Sequence, residues 1–147
     1  MSLKLPAERG DYPFHARIPV RIDDLIGGLH VGNSTLVSYL NEVQMQFFTA
    51  LGFPQLMVDG LIPMNHQLEM AFLAESRYGD TLDIGVAMES FDDRAYTLIY
   101  RLVNTATDKA VCEARMHMIF FDVQQKKRGH VPQSFIDAYQ QLAQRSA

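Results

Sequence analysis

The sequence predicts an α+β fold, one antiparallel sheet wrapped around one long helix, and three observations carry that prediction. The apolar period changes from two to about 3.6 near residue 34 and returns to two after Pro63. Residues 34–51 hold one charged side chain, Glu42, in eighteen positions, far fewer than a helix with a solvated face carries. Four alternating segments follow, parted by short polar turns. A helix so poor in charge needs cover on most sides, and a sheet that curls around it supplies that cover.

The first strand spans residues 14–22, where Phe14, Ala16, Ile18, Val20 and Ile22 alternate with His15, Arg17, Pro19 and Arg21. Pro19 has no N–H to give a neighbour, so this strand belongs at an edge or a bulge. In the helix, Leu36, Leu40, Val43, Phe47 and Leu51 share one face, widened by Tyr39, Val37 and Phe48. Asn33, Ser34 or Thr35 is expected to cap its start and Gly52 to end it. After Pro63, His66, Leu68, Met70 and Phe72 alternate with polar neighbours. Arg77-Tyr78-Gly79-Asp80 reads as a turn into a strand with Leu82, Ile84, Val86 and Met88 on one face. Asp92-Asp93-Arg94 turns into residues 96–103, and Thr107-Asp108-Lys109 into residues 111–123, the longest strand. Strands joined by short turns are expected to pair as a four-strand meander. Phe135, Ile136, Tyr139 and Leu142 give a helix over residues 132–144.

Totals narrow the class. At 147 residues, with 48% apolar and 20% charged residues, the chain is expected to form a single domain over residues 1–147. A formal charge of −4 argues against nucleic acid or an anionic membrane surface as the main partner. No apolar run approaches the roughly 18–20 residues of a membrane span, and the first residues lack the apolar core of a signal peptide. One cysteine, Cys112, leaves no internal disulfide to form. A cytoplasmic location is the expectation. The five histidines show no metal-ligand spacing, so neither metal nor cofactor is expected.

The junction before the helix carries the chemistry. Residues 20–33 read V-R-I-D-D-L-I-G-G-L-H-V-G-N. A strand ends in Asp23 and Asp24, Gly27-Gly28 makes a loop, and His30 and Asn33 stand where the helix begins. Carboxylate, imidazole and helix N-terminus are the parts that activate a water and hold an anionic carbonyl oxygen.

This junction resembles that of the hotdog-fold acyl-CoA thioesterases of the 4-hydroxybenzoyl-CoA thioesterase type. Their pattern, V-R-x-x-D-x-D-x-x-G-H-V-N-N and then a long helix with Y-L and a Glu, is matched in order by Val20, Arg21, Asp24, His30, Val31, Asn33, Tyr39, Leu40 and Glu42. Arg77-Tyr78-Gly79-Asp80 is similar to the family's A-R-Y-G-D hairpin, and Phe121-Asp122 to the end of its last strand. The likeness runs over about residues 14–135. It departs where Ile26 replaces the second Asp, the family's usual catalytic carboxylate, and Leu29 the glycine before His. In this the chain resembles an atypical subset with G-G-H-[LV]-G-N. The resemblance implies a hotdog fold: a five-stranded antiparallel sheet around one helix, with a short C-terminal helix. It further implies a homodimer, or a tetramer as a dimer of dimers, with acyl-CoA hydrolysed at a site between subunits. It leaves the base unassigned.

Candidate roles follow. The Asn33 backbone N–H would hold the oxyanion, with Ser34 beside it in substrate binding. Asp24 would be the base if the glycine loop folds back, and is otherwise a turn residue. Glu42, about 130° from the centre of the apolar stripe, is the second candidate base. His30 would orient water or substrate. Asn65 and His66 would line the pocket from the adjacent subunit or are plain strand alternation. Cys112 reads as packing. A non-catalytic acyl-CoA binder and an enoyl-CoA hydratase or dehydratase remain as alternatives.

Overall fold

The computed structural model describes residues 2–5 and 11–146. The first strand, β1 (Phe14–Pro19), stops three residues earlier than the alternation predicts. Beyond Pro19 the chain turns through a short 3-10 segment, Ile22–Asp24. The Asp24 N–H bonds to the Arg21 carbonyl at 3.0 Å there, and the Asp24 carboxylate accepts the Arg21 N–H at 2.9 Å. These local bonds outcompete continued pairing with the sheet. The loop expected next is a small ribbon, β2 (Leu25–Ile26) against β3 (His30–Val31). Gly27 and Gly28 reverse it at φ +60° and +71°, a conformation that costs glycine least.

Helix α1 (Asn33–Ala50) buries Leu36, Leu40, Val43 and Phe47, the predicted stripe, together with Tyr39 and Phe48. Full burial of each such aromatic or aliphatic side chain contributes about 1.5–3 kcal/mol. Gly52 follows the helix at φ +98°, as expected of a helix stop. The start differs from expectation. The N-cap is Gly32, which has no side chain to bond the first amides, rather than Asn33, Ser34 or Thr35.

The long strands β4 (Leu61–Phe72), β5 (Thr81–Phe91), β6 (Tyr96–Asn104) and β7 (Ala110–Asp122) follow, with a two-residue β8 (Lys127–Arg128) and helix α2 (Gln133–Ser146). The curled sheet has the order β1-β5-β6-β7-β4, every pair antiparallel, with β8 added on β7. Leu82 and Ile84, Leu98 and Tyr100, and Met116 and Phe120 are buried in the same core as α1. Phe135 of α2 closes one end, stacked on Phe48 at 5.2 Å and 4.9 Å from the ring of Tyr96. This is the hotdog arrangement predicted, with five long strands and a short C-terminal helix.

The four-strand meander is corrected. Only β5, β6 and β7 are consecutive neighbours, while β4 pairs with β7 at the far edge. Residues 73–80 therefore form a crossover from one side of the sheet to the other. The crossover is pinned by backbone bonds: Leu73 N–H to the Val111 carbonyl at 2.9 Å, Val31 N–H to the Ser76 carbonyl at 2.8 Å, and Val20 N–H to the Asp80 carbonyl at 2.9 Å. The chain takes this route because β5 can pair with both β1 and β6 only if β4 lies elsewhere. As a result, the crossover passes the start of α1.

Candidate active site

Four pieces of chain meet at the start of α1. Gly32 supplies no capping side chain, and the first turn carries no acidic residue. The first amides of a helix have no intrahelical acceptor. Among the described residues the Asn33 and Ser34 N–H groups find no other. They concentrate the positive end of the helix dipole, a ready site for a developing anion. Ile26 of β2 lies directly against Gly32: a Cβ built on that glycine would stand 2.7 Å from Ile26 Cγ1 and closer still to Cδ1. A side chain at residue 32 would have to displace the tip of Ile26, and the lack of one leaves the amides open.

Asn33 borders a cavity of about 290 Å³, lined also by His30, Leu36, Phe72, Glu75 and Ser76. His30 and Asn33 are brought together as the sequence pattern anticipated, and Ser34 is exposed one residue further along the helix. Asp24 and Glu42 lie elsewhere. Both border a larger groove of about 580 Å³ between β1 and α1, with Arg17, Arg21 and Tyr39. That groove is bigger but contains no uncapped helix end, so its chemistry is the less suited to a developing oxyanion.

Asp24 is 6% exposed. Its carboxylate accepts the Tyr39 hydroxyl at 2.7 Å and the Arg21 N–H at 2.9 Å, with the Arg21 guanidinium at 3.6 Å. Burial works against its charge, but the bonds from Tyr39 and Arg21 and the Arg21 charge together hold its pKa below the usual carboxylate value. Glu42 accepts the Gln46 side-chain N–H at 2.8 Å on the exposed side of α1. Asn65 and His66 are exposed on β4, where the register with β7 shifts between Asn65 and Gln67. The His66 ring lies 6.3 Å from that of His117 and lines neither cavity.

Two polar residues of the cavity are absent from the sequence-based candidates. Glu75 places a carboxylate on the wall, its only described ion pair being with the exposed Arg77 at 3.4 Å. Ser76 beside it is 3% exposed, and its hydroxyl has no hydrogen-bond partner among the described residues. Periodicity gives no sign of either, because a hairpin turn and a crossover look alike in one dimension. Burial pushes the Cys112 thiol up to about 12, which fits packing and removes it as a nucleophile. Among the described residues no three His, Cys, Asp or Glu side chains gather as a metal site.

Similarity to known proteins converges on the same fold. A protein from Staphylococcus aureus solved in complex with CoA is 13% identical, with a TM-score of 0.81 over 89% of this chain and 84% of that one. A 1,4-dihydroxy-2-naphthoyl-CoA thioesterase from Synechocystis is 15% identical, with a TM-score of 0.77 over 86% and 94%. A gentisyl-coenzyme A thioesterase is 16% identical, with a TM-score of 0.76 over 86% and 99%. At such identities these likenesses establish fold alone. No curated protein matches the chain in sequence. The family model of the thioesterase-like superfamily matches residues 20–139, from the strand end before the uncapped helix through to α2, and the chain belongs to that superfamily.

Proposed function

We propose that this protein hydrolyses the thioester of an acyl-CoA with water, without a cofactor. The observation that carries the reading is the start of α1, where Asn33, with its amide unpartnered among the described residues, borders a cavity shared with His30, and the Ser34 amide beside it is likewise unpartnered. Thioester hydrolysis passes through a tetrahedral intermediate whose oxygen carries negative charge. In this reading the Asn33 amide holds that oxygen, Ser34 supports it, and His30 orients the water. Asp24 and Glu42, the candidate bases of the sequence, border the neighbouring groove and in this reading serve its architecture. Asn65 and His66 reach the substrate from the partner's β4 in a homodimer, or in a tetramer built from two such dimers. Supporting the CoA-thioester assignment are the superfamily and the two solved relatives that act on aryl-CoA thioesters. We place the activity in the cytoplasm, in keeping with a lone buried cysteine. No helix among the described residues is long and apolar enough to cross a membrane.

The test is release of free thiol from a panel of aromatic and aliphatic acyl-CoAs, repeated with Asn33→Pro. Asn33 is the first helical residue after an extended Gly32 at φ −74°, ψ 156°. Proline suits that position and the residue before it, so the variant loses the N–H and keeps the helix. Losing one oxyanion donor should lower kcat by about 10²–10³-fold at unchanged fold. An unaltered kcat would remove Asn33 from the mechanism. Binding of acyl-CoA with no thiol released by the wild type would favour a binder over an enzyme.

A further inference from the structure

Thioester hydrolysis as proposed lacks a base at the position where the family pattern has one, since residue 26 is isoleucine. We infer that Glu75, on the crossover, is the general base, and that the neighbouring Ser76 hydroxyl holds the water it deprotonates. The inference rests on the proposed hydrolysis and adds a group that the sequence pattern does not supply.

Three observations converge. Among the residues that line the cavity at the start of α1, Glu75 is the carboxylate. Asp24 is committed to Tyr39 and Arg21 and borders the other groove, as does Glu42. Among the described residues Glu75 is held only by Arg77 at 3.4 Å, with the two side chains 60% and 70% exposed, and such a surface pair constrains little. Ser76 supplies the independent sign of a ligand. Its hydroxyl is buried and, among the described residues, unpartnered, an arrangement that native interiors avoid unless a ligand or water completes it. The residue is fixed in place because its carbonyl takes the Val31 N–H at 2.8 Å, one residue before Gly32. A hydroxyl that both donates and accepts can anchor a water at this wall of the cavity that Glu75 and Asn33 also line.

The step balances. The water oxygen bonds to the thioester carbon while Glu75 takes one of its protons, and the carbonyl electron pair moves onto the oxygen facing the Asn33 amide. Collapse re-forms the carbonyl and breaks the carbon–sulfur bond. Glu75 returns the proton to the departing sulfur, leaving a carboxylic acid and CoA thiol.

The decisive measurement is kcat and kcat/KM against pH for the full chain and for Glu75→Gln, on the best acyl-CoA of the panel. Binding of a non-hydrolysable CoA thioether is followed in parallel. Loss of a positioned base should lower kcat by about 10²–10⁴-fold. The acidic limb of the kcat/KM profile should vanish, with thioether affinity within twofold of wild type. Ser76→Ala should lower kcat about tenfold without lowering Tm, because it gives up no hydrogen bond within the protein. A Glu75→Gln enzyme within threefold of wild type, or one that keeps the acidic limb, overturns the assignment while leaving hydrolysis intact. A Ser76→Ala protein with lower Tm and unchanged kcat makes Ser76 structural and overturns its part. A wild type that releases no thiol from any panel member overturns the hydrolase reading, and this inference falls with it.

Discussion

The Asp24 carboxylate accepts from the Tyr39 hydroxyl at 2.7 Å and the Arg21 amide at 2.9 Å, with little of its surface left to water. Its pKa is lowered in the folded chain because those donors outweigh the cost of burial. A carboxyl so placed stabilises the fold above its unfolded pKa of about 3.9, and that contribution disappears as pH falls through the lower folded value. Tyr39→Phe removes one donor to a charged acceptor, a loss of about 1.5–3 kcal/mol at pH 7. Urea unfolding at pH 7, 4 and 2.5 should show the deficit undiminished down to about pH 4 and shrinking below it. A deficit of constant size would mean that the bond serves a neutral acid. The pattern of residue types made Asp24 conspicuous in the sequence, yet pattern does not reveal what a carboxylate is bonded to. The converse holds for Glu75, which looks like one more charge before a turn until the crossover places it on the cavity wall.

At the scale of elements, the changes of period located α1 and the five long strands, because burial of one face imposes the period directly. Strand order was not legible. A half-buried strand such as β4 presents the same alternation whether it pairs with β5 or with β7, and only the need to enclose α1 decides. The β2–β3 ribbon escaped for a different reason: each strand has two residues, too few for any period. That ribbon nevertheless shapes the helix start, through Ile26 on Gly32. Gly32→Ala should destabilise the protein twice over, by a poorer N-cap and by displacing Ile26. The first cost, about 0.5–1 kcal/mol, persists in any background. The second, on the order of 1 kcal/mol, should disappear when Ile26 is already alanine. A double-mutant cycle in denaturant measures the difference, and equal losses in the two backgrounds would show that Ile26 simply swings away.

For the molecule as a whole, the two edges of the sheet are not alike. The β1 edge is six residues long and carries Arg17 and Pro19, both of which discourage pairing with another chain. The β4 edge is twelve residues long, with no Lys or Arg and with Met64 and Phe72 exposed at 43% and 47%. A long edge with a single charge, Glu69, and with its one proline, Pro63, near the end is a template for another strand, and the natural occupant is the same edge of a second copy in a two-fold dimer. The face of α1 left open in one chain points the same way: Ser34, Ser38, Asn41, Met45 and Thr49 are exposed there, with Glu42 as the single charge. Pairing through β4 would also bring Asn65 and His66 within the range of the partner's helix start, as the proposed site requires. Replacing Met64 and Gln67 together by lysine sets like charges against each other across the two-fold axis. The wild type should run as a dimer or tetramer by light scattering at micromolar concentration, and the double variant as a folded monomer. If the partner's edge completes the site, the monomer should also lose at least about tenfold in kcat. A monomer with full activity would confine the chemistry to one chain, and a variant that stays dimeric would move the contact away from β4.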